Sequence, residues 1–402
     1  MSDPFTTYPD LAARPLGGSV PWANDELFAS RDNLITWEES EFQPATFAAR
    51  GQVYDGWETR RRREPGFDEA IIRLGVPGII HGVDIDTSHF KGNYPPEASV
   101  EAAAIPGYPD VDTLLAADWR PLVRRSPLDG DTHNRFHTDD AGVDGERGGG
   151  LVTHVRLRIY PDGGVARLRV HGEPLRDPRF LDAGPFDLAA LENGGLVTDS
   201  SNTFFGDATR LINPGPARNM GEGWETARRR DDGNDWAEIR LATVGVIQLF
   251  ELDLTHFVGN APGAARVLGR DTSGPEGADA EWHTLLARTD MLPGVRHRLL
   301  ATNELPATEL RLDIYPDGGM ARLRAWGAPT TGGRAALGRR WLAALPEPMA
   351  ATVVHETIGV SLDEARALIA GRPWAGDDDA IPEALRGIVL GLHPGTARAA
   401  AL

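Results

Sequence analysis

Apolar residues recur along most of this chain in short β-branched runs cut by glycine and proline, not at the three-and-four spacing of helices. Asp68 to Leu74 and Ile79 to Asp86 are two such runs, bounded by Gly75, Pro77 and Gly78, and the pattern predicts two strands. Ala98 to Ala104 adds a further strand, and Asp118 to Leu122 opens a segment echoed by Glu281 to Leu285. His154 to Tyr160 and Val165 to Val170 flank a Pro161-Asp162-Gly163-Gly164 turn, which predicts a hairpin. Its apolar residues alternate with arginines, so one face is expected buried and the other wet. Leu310 to Tyr315, Pro316 to Gly319 and Met320 to Ala325 repeat the arrangement.

The repetition is general. Sliding the sequence by 167 positions lays Gly56-Trp57-Glu58-Thr59 on Gly223-Trp224-Glu225-Thr226, and the register holds without a gap until Pro95 meets Pro262, with about half of the positions identical. Short strands with close turn signals, doubled in this way, predict an all-β chain of two tandem antiparallel sandwiches. The first thirty residues, punctuated by Pro15, Gly17, Gly18 and Pro21, read as an ordered arm or loop ahead of Asp32. Asp129 to Gly150 reads as a polar loop, and Gly172 to Asn202 as the junction. From about residue 347 the pattern turns helical: Ser361-Leu362-Asp363-Glu364 has the form of a capping box, and Pro382 to Leu392 has helical spacing.

Composition narrows the classes. The 402 residues are 41% hydrophobic, enough for a core in each unit, and no window approaches a membrane span. A formal charge of −18 argues against nucleic acid, whose phosphates need a net basic face. The chain has no cysteine, and the Met1-Ser2-Asp3-Pro4-Phe5 start lacks a secretory pattern, so a cytoplasmic, reducing setting is expected. Lys91 is the one lysine among 41 basic residues: either the position needs a compact ammonium or it is a survivor in an arginine-rich background.

The polar residues shared by the two copies carry the candidate chemistry. Asp86, His89, Lys91 and Asn93 fall within eight positions after a strand end, where a rigid sheet commonly places function. The alternative is a structural loop, with Asp86 capping amides, His89 satisfied in the core and Asn93 in a turn. In the second copy His256 and Asn260 remain while Lys91 becomes Val258 and Thr87 becomes Leu254, which favours structure there. Glu58 with Arg60 to Arg63 could hold a carboxylate, although charge runs are usually solvated and only one or two of these arginines should face a site. Trp57 and Trp224 read as core anchors. No His-Glu-x-x-His, P-loop or serine elbow is present; His133 and His137 have i, i+4 spacing but fall in the predicted loop, and His355-Glu356 looks incidental.

At these residues the sequence resembles the allantoicase (allantoate amidinohydrolase) family. The match lies in Asp55-Gly56-Trp57-Glu58-Thr59-Arg60-Arg61-Arg62, Val83 through Pro96, and Gly221 through Arg230. The resemblance implies two galactose-binding-like jelly rolls, at 15–175 and 198–330; the helical tail at 347–402, read from its pattern, lies outside the matched part. The resemblance also implies hydrolysis of allantoate to ureidoglycolate and urea, and homo-oligomers. Allantoate bears a carboxylate and two ureido groups on one carbon. The resemblance then suggests His89 as the acid, Asp86 or Glu58 as base or orienting partner, Arg61 or Lys91 on the carboxylate and Asn93 on a ureido carbonyl. Arg228, His256 and Asn260 would be the substrate-binding counterparts in the second unit. A divalent metal could replace part of this set. The first unit departs from the family in having Phe67-Asp68-Glu69, where the second keeps Asp235-Trp236. Other ureido-compound hydrolases or lyases, a carbohydrate-binding jelly roll and a scaffolding role are the alternatives.

Overall fold

In the computed structural model the two runs beginning at Asp68 are one strand of 19 residues, β1 (Asp68–Asp86). The description covers residues 4–49, 51–138, 150–275, 277–374 and 378–391. Gly75 and Gly78 do not break this strand; they let neighbours cross it. A Cβ on Gly78 would lie 2.3 Å from the Glu173 carbonyl oxygen, and one on Gly75 2.5 Å from that of Leu16. The register shifts between Arg73 and Gly78, where β1 changes partners. Its first half pairs with β3 (Val152–Tyr160) and its second with β2 (His133–His137) and β4 (Arg167–Pro174).

The arm contributes to the same sheet, since Ser19–Ala23 pairs with β1 at Trp22↔Ile71 and Ala23↔Ala70. Glu97–Ala103 lies between β3 and Arg120–Pro127. Part of the expected loop after Asp129 is strand β2, and its residues 139–149 fall outside the described residues. The second unit repeats the plan with β5 (Asp235–Asp253), paired to β6 (Arg296–Leu300), β7 (Pro306–Tyr315) and β8 (Arg322–Pro329). Both units are β-sandwiches whose interiors are built from the apolar positions of these strands; Trp57, Ile72, Ile85, Leu157 and Leu168 are fully buried together in the first.

The expected hairpin does not form. β3 and β4 both pair with β1, because the turn between them is captured elsewhere. Gly164 and Val165 pair with Glu58 and Trp57, and the Gly164 amide donates to the Asn93 carbonyl at 2.8 Å. Gly163, at φ 142°, passes within 2.7 Å of the Pro95 nitrogen where a Cβ would stand. Nor is the arginine face wet. Arg156 and Arg158 reach Glu69 and Glu101, and Arg167 is fully buried.

One short helix, Val111–Leu115, lies within the first unit, and the C-terminal helices begin at Thr331, sixteen residues before the expected 347. Gly332, Gly333 and Gly338 mask the first of these C-terminal helices by lowering propensity, and Gly338 is required because the Val389 carbonyl oxygen lies 2.0 Å from its would-be Cβ. That helix, Thr331–Ala344, is fastened to the second unit by Arg334, which pairs with Asp182 at 2.8 Å. Glu347–Ile358 and Leu362–Ile369 follow, and Ser361 with Glu364 forms the expected capping box. Glu383–Leu385 and Arg386–Leu390 are short helical turns; the stretch from 392 onward lies outside the described residues. No helix among the described residues is long and apolar enough to cross a membrane.

The chain divides into two compact units. One comprises residues up to Leu175 with Ala344–Glu356 and Val360–Ile369; the other comprises Arg176–Ala343, Thr357–Gly359 and the remainder from Ala370.

Candidate active site

Strand pleat puts Asp84 and Asp86 on one face of β1, and the antiparallel register sets residues of two neighbours beside each. Asp84 is paired with Arg135 on β2 and Arg169 on β4; Asp86 is paired with His133 and Arg167. His133 Nδ1 lies 3.0 Å from Asp84 Oδ2, and Arg135 Nε donates to the same oxygen at 3.2 Å. The Asp84 hydrogen bond, joined by the charges of Asp84, Asp86 and Glu39, raises the His133 pKa against the opposing effect of burial.

Arg167 spends its donors on the loop that covers this face. It donates to the Glu38 carbonyl at 2.9 Å and pairs with Asp55 at 2.7 Å. Glu39 follows on that loop, 3.5 Å from Arg169. Glu39, Asp86 and His133 each offer a ligand-type atom, all within 4.8 Å of one another. Asp86 is fully buried; Oδ1 accepts from the Ser88 amide at 2.8 Å, while Oδ2 has no hydrogen-bond partner. Asp84 Oδ1 is likewise buried and unpaired.

The second unit builds the same grid with different occupants. Glu251 is paired with Arg298 and Arg324, and Asp253 with Arg296 and Arg322. Here Arg296 fills the carboxylate, its Nη2 standing 2.9 Å from Asp253 Oδ2. Burial works to raise the Asp253 pKa, but the Thr255 hydrogen bonds and Arg296 outweigh it and hold the group low. Arg296, Arg322, Arg324, Asp187 and Trp326 line a cavity of about 420 Å³. Burial pushes the Asp187 carboxyl up to about 6 against the pull of Arg324, and burial with the Arg324 charge brings Arg322 down to about 10.

The residues singled out from sequence sit around these grids with mainly architectural contacts. Glu58 is buried and accepts from Asn93 Nδ2 at 2.8 Å; burial raises its pKa, and the Asn93 bond works the other way. Glu225 and Asn260 repeat the pair at 2.7 Å. His89 has φ 71° and its Nε2 lies 3.0 Å from the Ser40 carbonyl; His256 has φ 77° and stands 3.0 Å from the Ala217 carbonyl. Lys91 is 77% exposed and faces Asp131 at 3.5 Å. Arg61 and Arg228 are exposed, with no ion pair among the described residues, whereas the neighbouring Arg62 and Arg229 pair with Asp68 and Asp235. Trp57 and Trp224 are buried anchors whose indoles donate to the Asp25 and Asn202 carbonyls at 2.7 and 2.8 Å.

Of the residues expected to react, the structure therefore brings Asp86 to the cluster, and Glu58 and His89 bond elsewhere. His133 and His137 cannot share a ligand as a helical pair would, because four residues of strand separate them by about 13 Å. Sequence reasoning missed Glu39, Asp84, Arg135, Arg167 and Arg169. The alternating arginines repeated as Arg322 and Arg324 were the available signal.

Comparison with known proteins agrees with the doubled architecture. The allantoicase repeat model matches residues 9–175 and 186–330. The chain is 56% identical over 326 residues to a probable allantoicase of Nocardia farcinica, covering 80% of this chain and 95% of that protein. Against the probable allantoicase of Streptomyces coelicolor it is 47% identical over 350 residues, covering 84% and 90%. A solved allantoicase structure superposes with a TM-score of 0.68 at 31% identity, covering 80% of this chain and 93% of that one. The crystal structure of allantoicase from Saccharomyces cerevisiae gives 0.66 at 32%, covering 79% and 92%.

Proposed function

The chain belongs to the allantoicase family, and on that premise we propose that it hydrolyses allantoate to ureidoglycolate and urea, with the Glu39, Asp86 and His133 cluster of the first unit as the reacting site. One observation carries the placement: a fully buried aspartate has a free oxygen beside an imidazole and a second carboxylate. A carboxylate left unpaired in such a position is costly unless function uses it.

The reaction needs three services. Water must be deprotonated as its oxygen bonds the central carbon, a proton must reach the ureido nitrogen as its bond to that carbon breaks, and the substrate carboxylate must be held. Asp86 and His133 supply the first and, by passing the proton taken from water to the departing nitrogen, the second, with Asp84 fixing the imidazole through Nδ1. Arg135 is the carboxylate contact in this reading, since its Nε is spent on Asp84 while its side chain stays 40% exposed. Glu58 with Asn93, and His89, position the surrounding loops instead of reacting. Arg61, Lys91 and Arg228 stand on the exposed surface, where they can attract an anion.

The reading extends to a cytoplasmic setting and to a homo-oligomer, and light scattering on purified protein checks the oligomer. Incubation with allantoate should release urea and ureidoglycolate in equal amounts. Asp86→Asn should lower turnover by roughly two to four orders of magnitude. Full turnover in that folded variant would remove the cluster from the mechanism.

A further inference from the structure

We propose that the first unit binds a divalent cation between Asp86, His133 and Glu39, at the position where the second unit keeps the guanidinium of Arg296. The two units supply the comparison themselves. Asp86 and Asp253 end their long strands, accept the amide two residues on, and face His133 and Arg296 across the same register. Asp253 Oδ2 is met by Arg296 at 2.9 Å, while Asp86 Oδ2 is equally buried and has no partner. One half of the chain answers the buried carboxylate with a covalently attached cation. The other sets an imidazole at that register position and leaves Oδ2 of the buried carboxylate without a hydrogen-bond partner.

The donors suit a metal. Asp84 takes His133 Nδ1 at 3.0 Å, which leaves Nε2 as the nitrogen for a cation and gives the carboxylate–histidine support common behind metal-bound imidazoles. One ligand-type atom from each of the three residues lies within 4.8 Å of the other two. Bonds of about 2.1 Å need ligands some 3 to 3.5 Å apart, a closure that Glu39, whose side chain is 74% exposed, can make by rotation. One nitrogen and two carboxylates favour manganese or zinc over calcium or magnesium, and three protein ligands leave a position for water. The ion would bind whatever the substrate. With it bound, Asp86 and His133 would act as its ligands and the activation of water assigned to them above would pass to the ion, a role that rests on the reaction proposed above.

The test is equilibrium dialysis of the full chain against Mn²⁺ and, separately, Zn²⁺, with bound metal measured by mass spectrometry and urea release assayed on the same samples. One ion per chain is expected. His133→Arg, which writes the second unit's solution into the first, should stay folded and lose binding by more than about a hundredfold, and Asp84→Asn should weaken it by about 10- to 100-fold. Arg296→Ala should leave the stoichiometry unchanged. No stoichiometric Mn²⁺ or Zn²⁺ in the parent protein, or undiminished binding in His133→Arg, overturns the site. In either case urea release that survives chelation and still requires Asp86 would leave the proposed reaction standing.

Discussion

The His89 ring meets the Ser40 carbonyl at 3.0 Å, and through that bond it fixes the loop that carries Glu39 over Asp86. Because Ser40 is an acceptor, Nε2 is the protonated donor, and a ring so engaged is poorly placed to deliver protons to substrate. His256 holds Ala217 identically in the second unit, beside Gly215 and Pro216 of the cavity wall. His89→Ala should therefore reduce turnover by about tenfold, less than the loss of a proton donor, with both limbs of the pH–rate profile unmoved. His89→Gln, which can still donate to Ser40, should recover part of it. Steady-state kinetics across pH 5 to 9 check both points.

Glu58 and Asn93 join strand to loop inside the first unit, with Asn93 also accepting the Gly164 amide. Removing the carboxylate strands a half-buried amide, so Glu58→Ala should cost on the order of 1–3 kcal/mol. Glu58→Gln retains an acceptor and discards a buried charge. Because burial raises the folded pKa above the unfolded one, the native state binds the extra proton and the parent loses stability as pH rises through that interval. The Gln variant should lack that slope and lie within about 1 kcal/mol of the parent at pH 7, as read by urea denaturation.

Sequence was a good guide where structure is local and repeated, and a poor one where register decides. Alternation and turn residues disclosed the strands and the duplication, and the capping box appeared where Ser361 and Glu364 announced it. Gly75 and Gly78 looked like a break because close passage of a neighbouring strand and a chain turn both ask for glycine. The proposed reacting cluster was hidden by distance along the chain. Asp86 meets His133 only through antiparallel register across 47 positions, and Glu39 arrives from an irregular arm. The copies could have exposed it, but His133 corresponds to Arg296 at an offset of 163, outside the gapless block at 167. What the gapless block displayed most strongly was the shared loop architecture.

His154 on β3 is 1% exposed, and burial, then the charge of Arg73, brings its pKa down to about 4. A folded value below the unfolded one means that stability is complete above about pH 6.5 and is lost as pH falls towards 4, because the unfolded chain takes up the proton first. The loss attributable to this group is on the order of 3 kcal/mol. His154→Gln should flatten the dependence between pH 6.5 and 4 while leaving the response to more acid conditions intact. Urea denaturation of both proteins at half-unit intervals measures the difference.

Adjacent arginines give the last contrast. Arg62 pairs with Asp68 at 2.7 Å, and its amide donates to Asp162 at 2.7 Å; Asp68 is 1% exposed and has Asn24 as its other partner. Arg62→Ala leaves that buried carboxylate short of its cation and should cost about 2 kcal/mol, with Arg229→Ala doing the same to Asp235. Arg61 points into solvent, so Arg61→Ala should shift stability by no more than about 0.5 kcal/mol. If Arg61 draws allantoate towards the face, KM should rise for this variant and the rise should shrink with added salt, while kcat stays put. An unchanged KM at low ionic strength would assign Arg61 to the solvated surface alone.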